Sequence, residues 1–291
     1  MSAPLERPAV AERGAALAAI ADGLAQGRLI PYLGPGVLEE DAGGEDGGVP
    51  KSHGELAAFL AAKVALPGRA RGNAFAAAQF IETRRHRKTL NALMAQAFGK
   101  PVTPSALHGA LARLSQIPLI VDTWYDGAMR AALSCRSDWG EAQGICRAGV
   151  GEARWYAFYD VTGAEIVAPP AHGWASLLYK PHGAAAPAGN FLVADADYVE
   201  VLTEIDIQTP IPELVKTRRR ERGFVFLGCR FDEQTLRLYA RQIMKRSRGP
   251  HYALVAPERL TRNEWRFLAS QAILPVAASP DCLAEALAPR A

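Results

Sequence analysis

The sequence is short of the residues that build metal, disulfide and membrane proteins. Its 291 residues hold four cysteines, Cys135, Cys146, Cys229 and Cys282, and no Cys-x-x-Cys pair. That spacing excludes a disulfide framework and a zinc knuckle. The histidines show no helical ligand spacing, so no metal site is expected. No apolar run is long enough to span a bilayer. Residues 1–13 lack a long apolar core and carry Glu6 and Glu12, which does not read as a signal peptide. A soluble, cytoplasmic protein is expected. A net charge of +3 is too small to argue for nucleic acid, and no basic stretch is interleaved with aromatics. There is no internal repeat and no low-complexity linker.

What remains is ordinary globular composition, 49% hydrophobic and 22% charged. The chain begins with an Ala/Leu-rich helix over 10–27. A strand over 29–33 follows and runs into the turn Gly34-Pro35-Gly36. An acidic, Gly-rich segment over 39–48 reads as a mobile loop. Helices are expected over 53–66, 74–83, 84–98 and 105–114, the third with Leu90, Leu93, Met94 and Ala97 at core spacing. A strand over 118–121 ends at Asp122-Thr123-Trp124-Tyr125-Asp126. The middle reads as a helix over 127–133, strands over 143–147, 154–159 and 164–167, and a strand over 175–180 ending at Pro181-His182-Gly183. An extended run over 191–193 precedes a helix opened by Asp195. The last third alternates: helix 211–222, strand 224–227, helix 232–246, strand 252–256, helix 261–270, strand 273–276, helix 281–288. Alternation of buried strands and amphipathic helices predicts an α/β fold with a doubly wound, mostly parallel Rossmann-like sheet covered on both faces. The helices over 50–116 stand between the first two strands as a helical insertion, within a single domain spanning 1–291.

In such sheets ligands bind beyond the carboxyl ends of the strands. Four strand ends carry unusual residues: Gly34-Pro35-Gly36, Asp122 to Asp126, His182-Gly183 and Gly228-Cys229-Arg230. Together they would offer a glycine turn, carboxylates, an imidazole and a guanidinium, a set suited to a phosphate-bearing ligand. His182 could serve as a general base or only cap a strand-end turn. Gly183 would let a ligand approach the backbone. Asp126 could bind a ribose hydroxyl or cap the following helix. Thr123 could contact ligand or serve as a turn hydroxyl, and Arg230 could pair with phosphate or stand in solvent. Cys229 reads as an inert thiol. The basic runs 84–88 and 216–222 read as solvated helix faces, with nucleic-acid binding the weaker reading.

Taken in order, these stretches resemble the sirtuin-like family of bacterial NAD-binding proteins that lack the sirtuin zinc module. The resemblance runs from Leu29 to about Leu287. It rests on Gly34-Pro35-Gly36-Val37-Leu38, on Leu107-His108 ahead of Leu119 to Asp126, on Leu178 to Gly183, on Asp197-Tyr198, and on Leu227 to Phe231. It implies NAD as substrate or ligand, with no metal. Gly34, Gly36 and Val37 would cradle phosphates. Asp126 and Thr123 would orient the nicotinamide ribose, His182 would be the base acting on a ribose hydroxyl, and Gly228 would admit the adenosine side. Asp122, Trp124, Gly183 and Arg230 would complete the pocket. Many relatives of this shorter type are NAD hydrolases in bacterial defence against phage.

The departures are as informative. Pro35 deletes a backbone donor. Asp122 brings a negative charge near the ligand, which Arg230 could balance. Trp124 stands where the family has an asparagine needed for turnover, and an indole cannot accept a hydrogen bond. Two functions follow: an NAD hydrolase releasing nicotinamide, or a catalytically silent nucleotide-binding module that signals or assembles with a protein partner. A homo-oligomer is compatible with either.

Overall fold

The computed structural model describes residues 8–38, 48–148, 154–170, 173–204, 208 and 210–288. Most of the expected 39–48 loop lies outside the described residues. The chain opens with helix α1 (Arg13–Ala25) and strand β1 (Leu29–Leu33). Four helices come next: α2 (His53–Lys63), α3 (Ala74–Arg85), α4 (Arg87–Phe98) and α5 (Ala106–Arg113). Strand β2 (Leu119–Asp122), helix α6 (Ala128–Leu133) and strands β3 (Trp139–Gly144), β4 (Tyr156–Tyr159), β5 (Glu165–Ile166) and β6 (Ser176–Lys180) form the middle. A small hairpin pairs β7 (Gly183–Ala184) with β8 (Asn190–Phe191). The final third is α7 (Asp195–Glu204), α8 (Glu213–Arg219), β9 (Gly223–Leu227), α9 (Gln234–Met244), β10 (His251–Val255), α10 (Arg262–Ser270), β11 (Ile273–Ala277) and α11 (Pro280–Leu287).

Among the described residues the main sheet has nine strands in the order β11-β10-β9-β1-β2-β6-β3-β4-β5. It is parallel from β11 to β3, and β4 and β5 extend it antiparallel at one edge. The expected doubly wound α/β fold is therefore the fold observed. The chain moves outward from β1 in one direction, then returns to place β9 on β1's other flank. The ends of β1 and β9 thus form the topological switch point, where such sheets bind ligands.

Composition explains the centre. Phe224, Val225, Phe226 and Leu227 of β9 are all fully buried, each contributing about 1.5–3 kcal/mol on burial. One face of the sheet packs on α1, α5, α6 and α11 through Leu17, Leu111, Met129 and Leu283. The other packs on α7 to α10 through Tyr198, Val215, Tyr239 and Phe267. Helices α2 to α4 form a third core with Trp124 and Tyr125, whereas α5 joins the sheet face.

Several local readings are corrected. The expected helix over 84–98 breaks at His86, which adopts φ 81° and separates α3 from α4. The strand expected at 143–147 lies earlier, at β3, whose Glu141 and Gln143 are fully buried. The basic runs are not simply solvated faces. Arg87 is buried against Asp197, with Nη1 donating to Oδ1 at 2.8 Å. Arg218 donates to the carbonyls of Pro118 and Trp174, Arg219 to those of Gln242 and Ile243, and Arg222 to that of Gly27. These cations fasten the structure together. Among the described residues no helix is long and apolar enough to cross a membrane.

Candidate functional site

The turn after β1 is a short 3-10 segment over Pro35–Val37. It locks onto the turn after β9. The Gly34 N–H donates to Leu227 O and the Gly36 N–H to Gly228 O, both at 2.9 Å. A Cβ on Gly34 would lie 2.5 Å from Gly228 O, and one on Gly228, at φ 62°, would lie 2.3 Å from Val37 N. The glycines therefore serve close backbone packing. The free donors that the resemblance implies are not there: Pro35 has none, and the Val37 N–H returns to Gly34 O.

Over this floor lies a cleft of about 350 Å³. It is walled by Lys51, Ser52, His53 and Gly54 at the start of α2, by Arg230 and Asp232, by Ala256 and Arg259, and by Ser279 and Pro280 at the start of α11. Both helices begin with a serine cap, Ser52 accepting from Glu55 N and Ser279 from Cys282 N. Helix starts carry partial positive charge and unpaired N–H groups. With Lys51 and Arg259 they make an anion-friendly rim, while Asp232 offers an acceptor. Arg230 is occupied. It forms a two-pronged pair with Glu264, Nε to Oε1 at 2.8 Å and Nη2 to Oε2 at 3.0 Å. Burial opposes the Glu264 charge, but Arg230 and the N–H groups of Thr261 and Phe231 outweigh it and hold the carboxyl below its ordinary range.

The remaining expected residues lie apart from the cleft, at the ends of β2 and β6. Asp122 is buried and its carboxylate meets Lys180 Nζ at 2.6 Å. The cation beside Asp122 is thus Lys180, not Arg230. Burial pushes the Asp122 carboxyl up to about 6, against the pull of Lys180 and of the Trp124 N–H. Desolvation opposes the Lys180 charge, yet Asp122 and Asp126 leave its pKa above the ordinary lysine value. Both stay ionised at neutral pH. Lys180 also donates to Asp126 O at 2.9 Å. Asp126 itself caps α6, accepting from Ala128 N at 2.7 Å. The Thr123 hydroxyl donates to Leu33 O at 2.8 Å. Gly183, at φ 76°, sits where a Cβ would lie 2.1 Å from Asn190 O. Trp124 turns away from the sheet into the helical core, where Nε1 donates to Pro50 O at 2.7 Å and the ring meets Phe98 edge-on at 5.4 Å.

His182 is 2% exposed and enclosed by the rings of Tyr198 and Tyr239, at 5.1 and 4.8 Å. Its Nδ1 lies 3.1 Å from Thr123 O. A carbonyl only accepts, so Nδ1 carries the proton and Nε2 holds a lone pair. That Nε2 is buried without a hydrogen-bond partner. Burial lowers the imidazole to about 3, Thr123 O acting the other way. At neutral pH the ring is therefore held neutral, and so low a pKa makes it a poor proton acceptor.

Five contributors were missed in the sequence. Lys180 could have been found as a lysine ending an apolar strand, which needs a counter-ion, beside an aspartate ending the next. Glu264 had a capping-box signal in Thr261-Arg262-Asn263-Glu264. The wall residues Lys51, His53 and Arg259 gave no signal. Among the described residues no group of three or more His, Cys, Asp or Glu side chains is placed to hold a metal.

A parallel doubly wound sheet with a cleft at its switch point defines an α/β protein of the Rossmann-like class. The family model described as SIR2-like domain matches residues 118–276, and the chain belongs to that family. The matched stretch contains β2, β6 and β9 with their strand ends. The glycine turn after β1 and the helical block lie outside it. A solved structure described as "Structural Basis for the Mechanism and Regulation of Sir2 Enzymes" is similar at 12% identity, with a TM-score of 0.40, over 94% of this chain and 96% of that one. No curated protein matches the sequence.

Proposed function

We propose that this chain binds the adenosine diphosphate part of NAD, or of a related nucleotide, in the switch-point cleft, and that it is silent toward NAD cleavage in the conformation described. The cleft carries the reading. It joins a cationic rim of Lys51 and Arg259 to the starts of α2 and α11, over the β1 and β9 turns. Those groups suit phosphates, and Asp232 suits a ribose hydroxyl. Silence is supported by the other half of the constellation. His182 is sealed in and too weak a base, Asp126 caps a helix, the Thr123 hydroxyl is spent on Leu33 O, and Trp124 fills the helical core. A silent nucleotide binder would act by signalling or assembly, and its product would be a bound state read by a protein partner.

One observation favours turnover instead. A buried polar atom without a partner costs about 1–3 kcal/mol, and His182 Nε2 is one. Proteins keep such groups where function uses them. In that reading His182 is the base on a ribose hydroxyl, and the bond cleaved joins nicotinamide to ribose.

Two measurements decide. Titration calorimetry with ADP should show binding that falls at least tenfold in Lys51→Glu and in Arg259→Glu. Nicotinamide release from NAD should be no greater in the native protein than in His182→Ala. Release by the native protein that the variant loses would replace silence with hydrolysis. Binding of ADP unchanged by either rim variant would remove the cleft from consideration.

A further inference from the structure

The walls of the cleft differ from one end to the other. Its lining runs along the sheet order β10-β9-β1-β2. At the β2 side stand Lys51 and the start of α2, whose His53 touches Trp124 just beyond β2. At the other side stand Arg259, which follows β10, and the start of α11, which follows β11. In that order β10 and β2 are three strands apart, at about 4.8 Å a step. Asp232, which follows β9, lies between the two cations, close enough to His53 to favour protonation of that ring. Leu254, Val255 and Leu260, the branched apolar residues of the lining, all belong to the Arg259 side.

That order gives a bound nucleotide a direction. An adenine ring needs an apolar seat, so the adenosine lies at the Arg259 side and its diphosphate reaches toward Lys51. The two phosphates of a diphosphate share an oxygen and stay together, so they cannot serve both ends. Arg259 is then left beside the adenosine. Among the described residues its guanidinium has no hydrogen-bond or ion-pair partner, and only its carbonyl is bonded, by Arg230 Nη2 at 3.2 Å. The neighbouring carboxylates Glu258 and Asp281 are not part of the lining. Resting on the reading of the cleft as a nucleotide site, we propose that it selects nucleotides carrying a phosphomonoester on the adenosine ribose, held by Arg259 and the start of α11. Arginine suits that group, because its planar fork meets two phosphate oxygens at once and stays charged. Along the cleft the order is cation, acceptor, cation. It matches the order phosphate, free hydroxyl, phosphate along such a ligand.

The experiment uses two matched pairs of probes in calorimetry. NADP against NAD reads the 2′ position, and coenzyme A against dephospho-coenzyme A reads the 3′ position. The proteins are the native chain, Arg259→Ala and Lys51→Ala. Arg259 is exposed and Lys51 half-buried, so neither change opens the core, and thermal melts check folding. In at least one pair the ribose-phosphorylated member should bind the native protein at least about tenfold more tightly. Arg259→Ala should bring that pair to within about twofold of each other. Lys51→Ala should weaken both members and keep their ratio within about twofold of the native one. A preference absent from both pairs, one that survives in Arg259→Ala, or one lost equally in Lys51→Ala overturns the selection. If ADP still binds in a rim-dependent way, only the selection falls and the cleft remains a nucleotide site. Binding of no nucleotide by the native protein removes the cleft reading and the selection together.

Discussion

Lys180→Met isolates the buried pair that underlies the β2 end. In the native protein Nζ stands 2.6 Å from Asp122 Oδ2, with side-chain exposures of 1% and 4%. Removing one partner of such a pair leaves an uncompensated buried charge, a cost of about 3–5 kcal/mol. The lost bond to Asp126 O falls within that figure. Against the roughly 5–15 kcal/mol stability of a domain, this should be plain in urea unfolding followed by tryptophan fluorescence. Asp122→Asn alone should also destabilise. The double variant should recover about 2–3 kcal/mol relative to the sum of the singles, because the asparagine oxygen still accepts from Trp124 N. pH gives a second handle. Without Lys180 pulling down, the Asp122 pKa rises above the native value of about 6. A carboxyl with a raised folded pKa gives its full contribution below the unfolded value and loses it as pH rises through the folded one. The Lys180→Met deficit should therefore be smaller at pH 5 than at pH 8. Additive singles, or a deficit independent of pH, would refute the account of Asp122 and Lys180 as a buried pair.

Acid should weaken the native fold through its imidazoles. The His182 pKa is depressed to about 3, so its contribution is full above the unfolded value near 6.5 and is lost as pH falls toward 3. At pH 5 that loss is about 2 kcal/mol, from 1.36 kcal/mol per pH unit, and the drop between pH 7.5 and 5 should shrink by this amount in His182→Phe. His53, lowered to about 4 by burial with Asp232 acting oppositely, adds a drop of similar size over the same interval, because pH 5 still lies above its folded value. Gly228→Ala should destabilise by more than about 2 kcal/mol in thermal or chemical melts, since positive φ adds strain to a Cβ 2.3 Å from Val37 N. Trp124→Asn should lower stability by about 3–5 kcal/mol, as large-to-small core changes do, and a melt should show this before any gain in nicotinamide release is sought.

The strands flanking β1 were legible because they are continuous apolar runs closed by Gly, Pro or Asp, as buried parallel strands are. Strand β3 was not, because Glu141 and Gln143 break the pattern. The fold buries them by supplying Arg130 to Glu141 and the Ala186 carbonyl to Gln143, and no local sequence rule contains those distant partners. Gly140 is likewise explained only by Trp174, whose ring would lie 2.0 Å from a Cβ there. At the site, the strand ends were readable as places but not as roles. Asp126 and Thr123 are donors and acceptors on paper, and which partner consumes them is settled by tertiary contacts. The second basic run was misread for the same reason: its arginines reach backbone carbonyls contributed by four other segments.

The interlocked turns after β1 and β9 have one more consequence. Because the Gly34 and Gly36 amides are spent on the carbonyls of Leu227 and Gly228, the base of the cleft is continuous with the hydrogen-bonded sheet, and the β1 turn offers a ligand shape but little vocabulary. Discrimination has to be written in the walls, which come from separate stretches around residues 51–54, 256–259 and 278–280. Each can be rewritten without reopening the sheet. A scaffold divided in this way, rigid underneath and editable above, can exchange one ligand for another while its architecture stays put.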